Sequence, residues 1–306
     1  MTAMSDRARS FDVVRVRGTQ RSTAVDRAAT EEPLEIRLHN RPFSVVMRTP
    51  GSDRELVAGF LLAEQVIRGS DDLGTIAHCT DRSARLFNVG DGLQTAPSLP
   101  TVHAQAEPSL PGVESYTAEN VVNVTLVDGS ADALDRLLSE RRQVTTNASC
   151  GLCGRRTIES LIADVPPLPA TWTMSSSVLA SLPRRLRAAQ TVFDETGGLH
   201  AAGLFTPDGD LVEQAEDVGR HNAVDKVVGR MLLREALPLS NHLLCVSGRT
   251  SFEIVQKALL AGIPLVAAVS APSSLAIELA QASGVTLVGF VRGDSFNIYA
   301  HERRIL

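Results

Sequence analysis

Two thiols three residues apart frame the chemistry open to this sequence. Cys150 and Cys153 stand in "NASCGLCGR", residues 147 to 155, with Gly151 between them and Gly154 after the second. Such a pair can supply half a zinc site, cycle as a redox disulfide, or carry a transferable group on one sulfur. Structural zinc takes four ligands, and the other candidates are the adjacent His78 and Cys79 or Cys245 in a predicted buried strand, none at a recognised spacing. A thioredoxin-type pair opens a helix after a strand, where the dipole lowers one thiol pKa. Here the preceding "RRQVTTNAS" is polar and glycines flank the second cysteine. The pattern favours a reactive thiol on a mobile loop, with Arg155 and Arg156 placed to stabilise a thiolate. Glycines permit the backbone excursions of a sulfur that must visit both a donor and an acceptor.

Three further clusters carry polar chemistry. "LLCVSGRTSFEI" reads as a strand, then Gly248 and Arg249, then Thr250 and Glu253 as a capping box on a helix. "LVAAVSAPSSLAIEL" repeats the design, with Ser273 or Ser274 as N-cap and Pro272 near the helix start. Two helix N-termini then emerge from the C-terminal edge of one sheet, where open α/β folds bind ligands and free N–H groups attract anions. Arg249 adds a bidentate phosphate donor there. "EDVGRHNAVDK" packs Glu216, Asp217, Arg220, His221, Asp225 and Lys226 into one stretch, which reads as a charged helix start with His221 as a neutral imidazole. "GFVRGDSFNIYA" places Arg292-Gly293-Asp294 on a hairpin turn.

The elements that must position these groups follow from length and periodicity. A chain of 306 residues exceeds one compact core and predicts two domains. A net charge of −5 and 4% aromatic residues exclude a basic, base-stacking nucleic-acid surface. No apolar stretch reaches the roughly 18 residues of a membrane span. With four cysteines and a charged N-terminus, the expectation is a cytoplasmic protein without a disulfide scaffold. Residues 1–30 read as a mobile tail, 31–145 as a small α+β domain, 146–156 as the CxxC loop, and 157–306 as a larger α/β domain. In the first domain, alternation around Leu34, Ile36 and Leu38 gives a hairpin turned at "HNRP", and Ser52 with Glu55 forms a capping box on "RELVAGFLLAEQVI". In the second, "SLPRRLRAAQTVFDETGG" is a helix, "LHAAGLFTPDGDLVEQAEDVG" a hairpin, and helices then alternate with strands.

The order α-β-β-α-β-α-β-α-β resembles the cytidine-deaminase-like fold, a mixed sheet with flanking helices. His200-Ala201-Ala202 falls where that fold carries a zinc His-Ala-Glu motif, but Ala202 replaces the general acid/base Glu, so deaminase chemistry is not expected.

Taken with "SCGLCGR", "TGGLHAAGLF", "EDVGRHNAVDKVVG", "VSGRTSFEIVQKALLAGIP" and "SAPSSLAIELA", the "GFVRGDSFNIYA" motif makes the chain resemble the FdhD/NarQ family, sulfurtransferase accessory proteins of formate dehydrogenases. The resemblance implies that a cysteine desulfurase passes sulfur, through a cysteine persulfide, to the molybdenum cofactor bis(molybdopterin guanine dinucleotide). Transfer would precede insertion into the formate dehydrogenase catalytic subunit. It implies a homodimer, Cys150 as the persulfide cysteine and Cys153 as its supporting partner. Phe290, Val291, Arg292, Gly293, Asp294 and Ser295 would contact the cofactor, and no permanently bound metal is expected. The alternatives are a non-catalytic cofactor-binding chaperone and a zinc deaminase relative.

Overall fold

The computed structural model describes residues 7–79, 118–127, 166–169 and 171–306. The CxxC loop, with Cys150 and Cys153, and the Pro/Ser-rich stretch 92–114 lie outside the described residues. Strands β1 (Ala8–Arg17) and β2 (Gln20–Ala29) form a hairpin of their own. β3 (Glu32–Leu38) and β4 (Arg41–Arg48) follow, then helix α1 (Asp53–Ala63), β5 (Leu73–His78) and β6 (Val121–Leu126). After them come α2 (Ser176–Ala188), α3 (Thr191–Thr196), β7 (His200–Phe205), β8 (Leu211–Asp217) and α4 (Arg220–Leu233). The chain ends with β9 (Leu243–Val246), α5 (Phe252–Leu260), β10 (Leu265–Ala268), α6 (Ser274–Ser283), β11 (Thr286–Arg292) and β12 (Ser295–Ala300).

A six-stranded sheet has the order β12-β11-β10-β9-β7-β8, and a four-stranded sheet the order β4-β3-β6-β5. β9, β10 and β11 run parallel, while β7, β8 and β12 are antiparallel to their neighbours. This is the mixed α/β architecture with flanking helices and a smaller sheet that the sequence predicts. Successive residues of the central strands point to opposite faces. Leu244, Val246, Val266 and Ala268 join a core with α4, α5 and α6. Leu243, Cys245, Leu265 and Ala267 join another with Leu179, Leu182 and Leu186 of α2. The first core runs on without a break through α1 to Leu34, Ile36, Val122 and Val124 of the smaller sheet.

Helices α1 and α4 meet backbone to backbone. A Cβ on Gly229 would lie 1.9 Å from the Glu55 carbonyl oxygen, and one on Gly59 would lie 2.0 Å from that of Asp225. Only glycine permits this approach. It locks the smaller sheet against the helix that carries Arg220 and His221.

Several local expectations change. Residues 8–29, read as a mobile tail, pair from Ala8↔Ala29 to Arg17↔Gln20. The alternating charges are distributed over both faces of a ribbon. Ser52 is left-handed and makes no capping bond; its Oγ instead accepts from Arg230 Nη2 at 2.8 Å. The single helix expected over "SLPRRLRAAQTVFDETGG" is two, broken at Ala189 and Gln190. The Glu216 carboxylate starts the second one by accepting from the Val192 and Phe193 N–H groups. The turn at His39 and Asn40 is as expected, both residues having positive φ, as a two-residue hairpin with right-handed twist requires.

Candidate functional site

One edge of the large sheet collects most of the polar residues that the sequence singles out. The parallel strands β9, β10 and β11 end there, and antiparallel β7 begins there with His200 opposite Asp217 of β8. The N-termini of α4, α5 and α6 therefore open at the same edge. The sequence places two of the three; the α4 terminus arrives because β8 runs antiparallel to β7. The loops after β9 and β10 are tied together: Thr250 N–H donates to Ala271 O at 3.2 Å and Ser273 N–H to Thr250 O at 2.9 Å. Ser273 caps α6, its Oγ accepting from Ala276 N–H at 3.3 Å.

The capping box expected at Thr250 and Glu253 is absent. Thr250 is buried with an unpartnered Oγ1, and Ser251 occupies the cap position without a capping bond. Glu253 and Ser251 turn instead to His221, whose Nε2 lies 2.8 Å from Glu253 Oε2 and 2.9 Å from Ser251 Oγ. A carboxylate only accepts, so this arrangement puts the proton of a neutral imidazole on Nε2. Gly248 brings the β9 loop close to His200 and Arg220: a Cβ there would lie 3.3 Å from His200 Nδ1 and 3.5 Å from Arg220 Cδ.

Burial pushes His200 below its ordinary value of 6.5, and the charge of Arg220 pushes in the same direction. The folded protein therefore resists protonation at His200 while the unfolded chain accepts it. The contribution of His200 to stability is complete above pH 6.5 and is lost as pH falls through the folded value. Thermal melts should show the wild type losing more stability below pH 6.5 than a His200→Gln variant. Parallel pH profiles would contradict the assignment.

The cluster 216–226 is not a solvated helix start. Asp217, fully buried, accepts from Gly219 N–H at 2.8 Å, Asn222 Nδ2 at 2.9 Å and Thr49 N–H at 3.1 Å, and pairs with Lys226 Nζ at 2.7 Å. Lys226 also donates to Thr49 O at 2.8 Å, and Asp225 pairs with Lys257 at 2.6 Å. Burial pulls Lys226 down and pushes Asp225 up, each opposed by its partner. The Asp217–Lys226 pair holds the α4 entrance against Thr49 at the β4 end, and Asp225–Lys257 ties α4 to α5, so together they fix where Arg220 and His221 stand. They are scaffold, and the two side chains they position face the edge.

The segment Phe290–Ser295 ends β11 at the same edge and turns into β12. Phe290 adopts φ +55°, Gly293 φ +56°, and the register shifts between Gly289 and Arg292. That bulge, with Phe290 N–H donating to Ser270 O at 3.2 Å, leaves Phe290 partly exposed and Val291 buried. Arg292 is exposed, its guanidinium 5.9 Å from the Phe290 ring centroid, with Nε donating to Val269 O at 3.4 Å. Ser295 Oγ donates to Arg292 O at 3.1 Å and closes the turn, while Gly293 and Asp294 are exposed at its tip. Arg249 is exposed on the β9–α5 loop. The structure thus brings Arg249, Arg292 and Arg220 to one edge with three helix N-termini, a donor set suited to a polyanion.

The profile of the FdhD/NarQ family matches residues 29–306 of this chain. The chain belongs to the FdhD/NarQ family. Among its relatives, the sulfur carrier protein FdhD of Streptomyces avermitilis is 48% identical, the match covering 96% of this chain and 94% of that protein. The protein of the same name from Mycobacterium tuberculosis is 44% identical, with 92% and 93% covered. A crystal structure from Desulfotalea psychrophila, assigned to the formate dehydrogenase accessory proteins, superposes with a TM-score of 0.69 at 24% identity, covering 98% of this chain and all of that one. It shares the fold.

Within this FdhD/NarQ chain, the two cysteines among the described residues differ in setting: Cys79 is half-buried and Cys245 is sealed in β9. Burial pushes the Cys245 thiol up to about 12, so it stays protonated and inert at neutral pH. Among the described residues no three His, Cys, Asp or Glu side chains converge as a metal site. Ala202 is fully buried inside β7, so the position expected for a deaminase acid/base lies in the core. No helix among the described residues is long and apolar enough to cross a membrane.

Proposed function

We propose that this protein is a sulfurtransferase that carries a persulfide sulfur on Cys150 from a cysteine desulfurase to bis(molybdopterin guanine dinucleotide), before that cofactor enters the formate dehydrogenase catalytic subunit. The observation that carries the reading is family membership across nearly the whole chain, with relatives at 44–48% identity named sulfur carriers. The cofactor is the substrate here, and its pyrophosphates match the anion-binding character of the sheet edge. Phe290, Val291, Arg292, Gly293, Asp294 and Ser295, with Arg249, would hold the guanine dinucleotide end. The protein acts as a homodimer in the cytoplasm.

Delivery balances within the CxxC pair. The Cys153 thiolate attacks the Cys150 sulfur, forming the Cys150–Cys153 disulfide. The persulfide S–S bond breaks, and its electron pair leaves with the terminal sulfur as hydrosulfide. That hydrosulfide is the species offered to molybdenum, and a cellular thiol then reduces the disulfide.

The test is to follow radiolabelled sulfur from cysteine, through the desulfurase, onto this protein and then onto added cofactor. Label that reaches the cofactor only when the protein is present supports the reading. Cofactor binding without label transfer would make the protein a chaperone.

Arg249 tests the binding half separately. A charge-assisted hydrogen bond contributes about 1.5–3 kcal/mol, so Arg249→Ala should weaken guanine-nucleotide binding about ten-fold or more. Calorimetry showing unchanged affinity in a folded variant would move the phosphate site elsewhere.

A further inference from the structure

The β1–β2 ribbon touches the body at its root and little elsewhere. Ala8 and Ala29 pack there with Val192, Leu199, Phe193 and Val218, and Arg27 Nε pairs with Glu195 at 3.1 Å. Paired residues of an antiparallel ribbon share a face, and the faces alternate along each strand. The face buried at Ala8↔Ala29 therefore continues through Ser10↔Arg27, Asp12↔Val25, Val14↔Thr23 and Val16↔Arg21 toward the tip. On that face Val25, Val14 and Val16 are 63%, 62% and 55% exposed. Beyond the polar Ser10↔Arg27 pair these three valines form an apolar strip outside the part that the body covers. A lone two-stranded ribbon is marginal in water, so a ten-residue pair with an uncovered apolar strip calls for an occupant.

Charge indicates which. Residues 8–29 hold five arginines (9, 15, 17, 21 and 27) against Asp12 and Asp26, a net +3 in a chain of −5, so the remainder carries −8. The ribbon is complementary in sign to the body of its own chain. Val45 and Met47, exposed alternate residues on the edge strand β4, offer a row to receive it. We infer that the β1–β2 ribbon is a dimerisation arm, which lays its Val14/Val16/Val25 face on a second copy of this chain. Two-fold symmetry makes the exchange reciprocal, so each dimer buries two arms. The inference rests on the homodimer reading above and names the surface that makes it.

Light scattering on the full chain, with and without Val14→Glu, Val16→Glu and Val25→Glu together, tests it. All three positions are exposed, so the body of the triple variant should fold, as circular dichroism would verify. The wild type should have twice the 32.7 kDa chain mass and the variant half the wild-type value. A variant that keeps the doubled mass would overturn the arm while leaving the homodimer standing. A wild type of single mass would overturn both.

Discussion

Cys150→Ala is expected to reduce formate dehydrogenase maturation to background, and Cys153→Ala to reduce it only in part. The persulfide needs one sulfur nucleophile, and the proposed function gives that role to Cys150. Cys245 cannot take it over, being sealed in β9 with its thiol pushed up to about 12. In the proposed delivery step Cys153 would release the sulfur by displacing it from Cys150, which a small external thiol can also do. Added dithiothreitol should therefore restore part of the activity to Cys153→Ala and none to Cys150→Ala. Dehydrogenase activity in cells lacking the wild-type protein is the readout. Equal retention in both variants would overturn the assignment.

Gly229→Ala is expected to cause the largest loss of stability from a single methyl group. Alanine is favoured over glycine in a helix by about 1 kcal/mol, which alone would stabilise α4. Against that, the new Cβ would sit 1.9 Å from Glu55 O and 2.6 Å from Gly59 N, backbone atoms of α1 that cannot rotate away. Overpacking a well-packed site costs about 1–3 kcal/mol and more when backbone must move, so the clash should win. The midpoint of thermal unfolding should fall by several degrees. Gly59→Ala, whose Cβ would lie 2.0 Å from Asp225 O on the facing helix, should behave alike. An unchanged melting temperature for either variant would mean that the helices separate more easily than their contact implies.

The sequence made visible what depends on periodicity and turn chemistry. The βα alternation, the turn at "HNRP", a serine cap at Ser273 or Ser274 and the turn at Arg292-Gly293-Asp294 all follow from local rules. What it concealed depends on tertiary competition. Ser52 and Thr250 sit in capping-box patterns, but Arg230 claims the Ser52 hydroxyl and His221 claims Glu253 from outside the local helix. Asp217 and Lys226 look solvated in a run of charges, because nothing in that run shows that Thr49 folds over them. His200 reads as a zinc-motif remnant, yet it stands at the edge because β7 is antiparallel to β9. The β1–β2 ribbon was hidden for another reason: Arg15, Arg17, Arg21 and Asp12 break up its short apolar alternation, the pattern by which strands are recognised.

The most direct measurement of the central claim is the intact mass of the protein after incubation with a cysteine desulfurase and cysteine. A persulfide adds one sulfur atom, about 32 Da, which a reductant should remove. The account predicts that gain on the wild type and on Cys153→Ala, located at Cys150 by peptide mapping, and no gain on Cys150→Ala. A wild-type protein that binds the guanine dinucleotide but never gains the sulfur would contradict it.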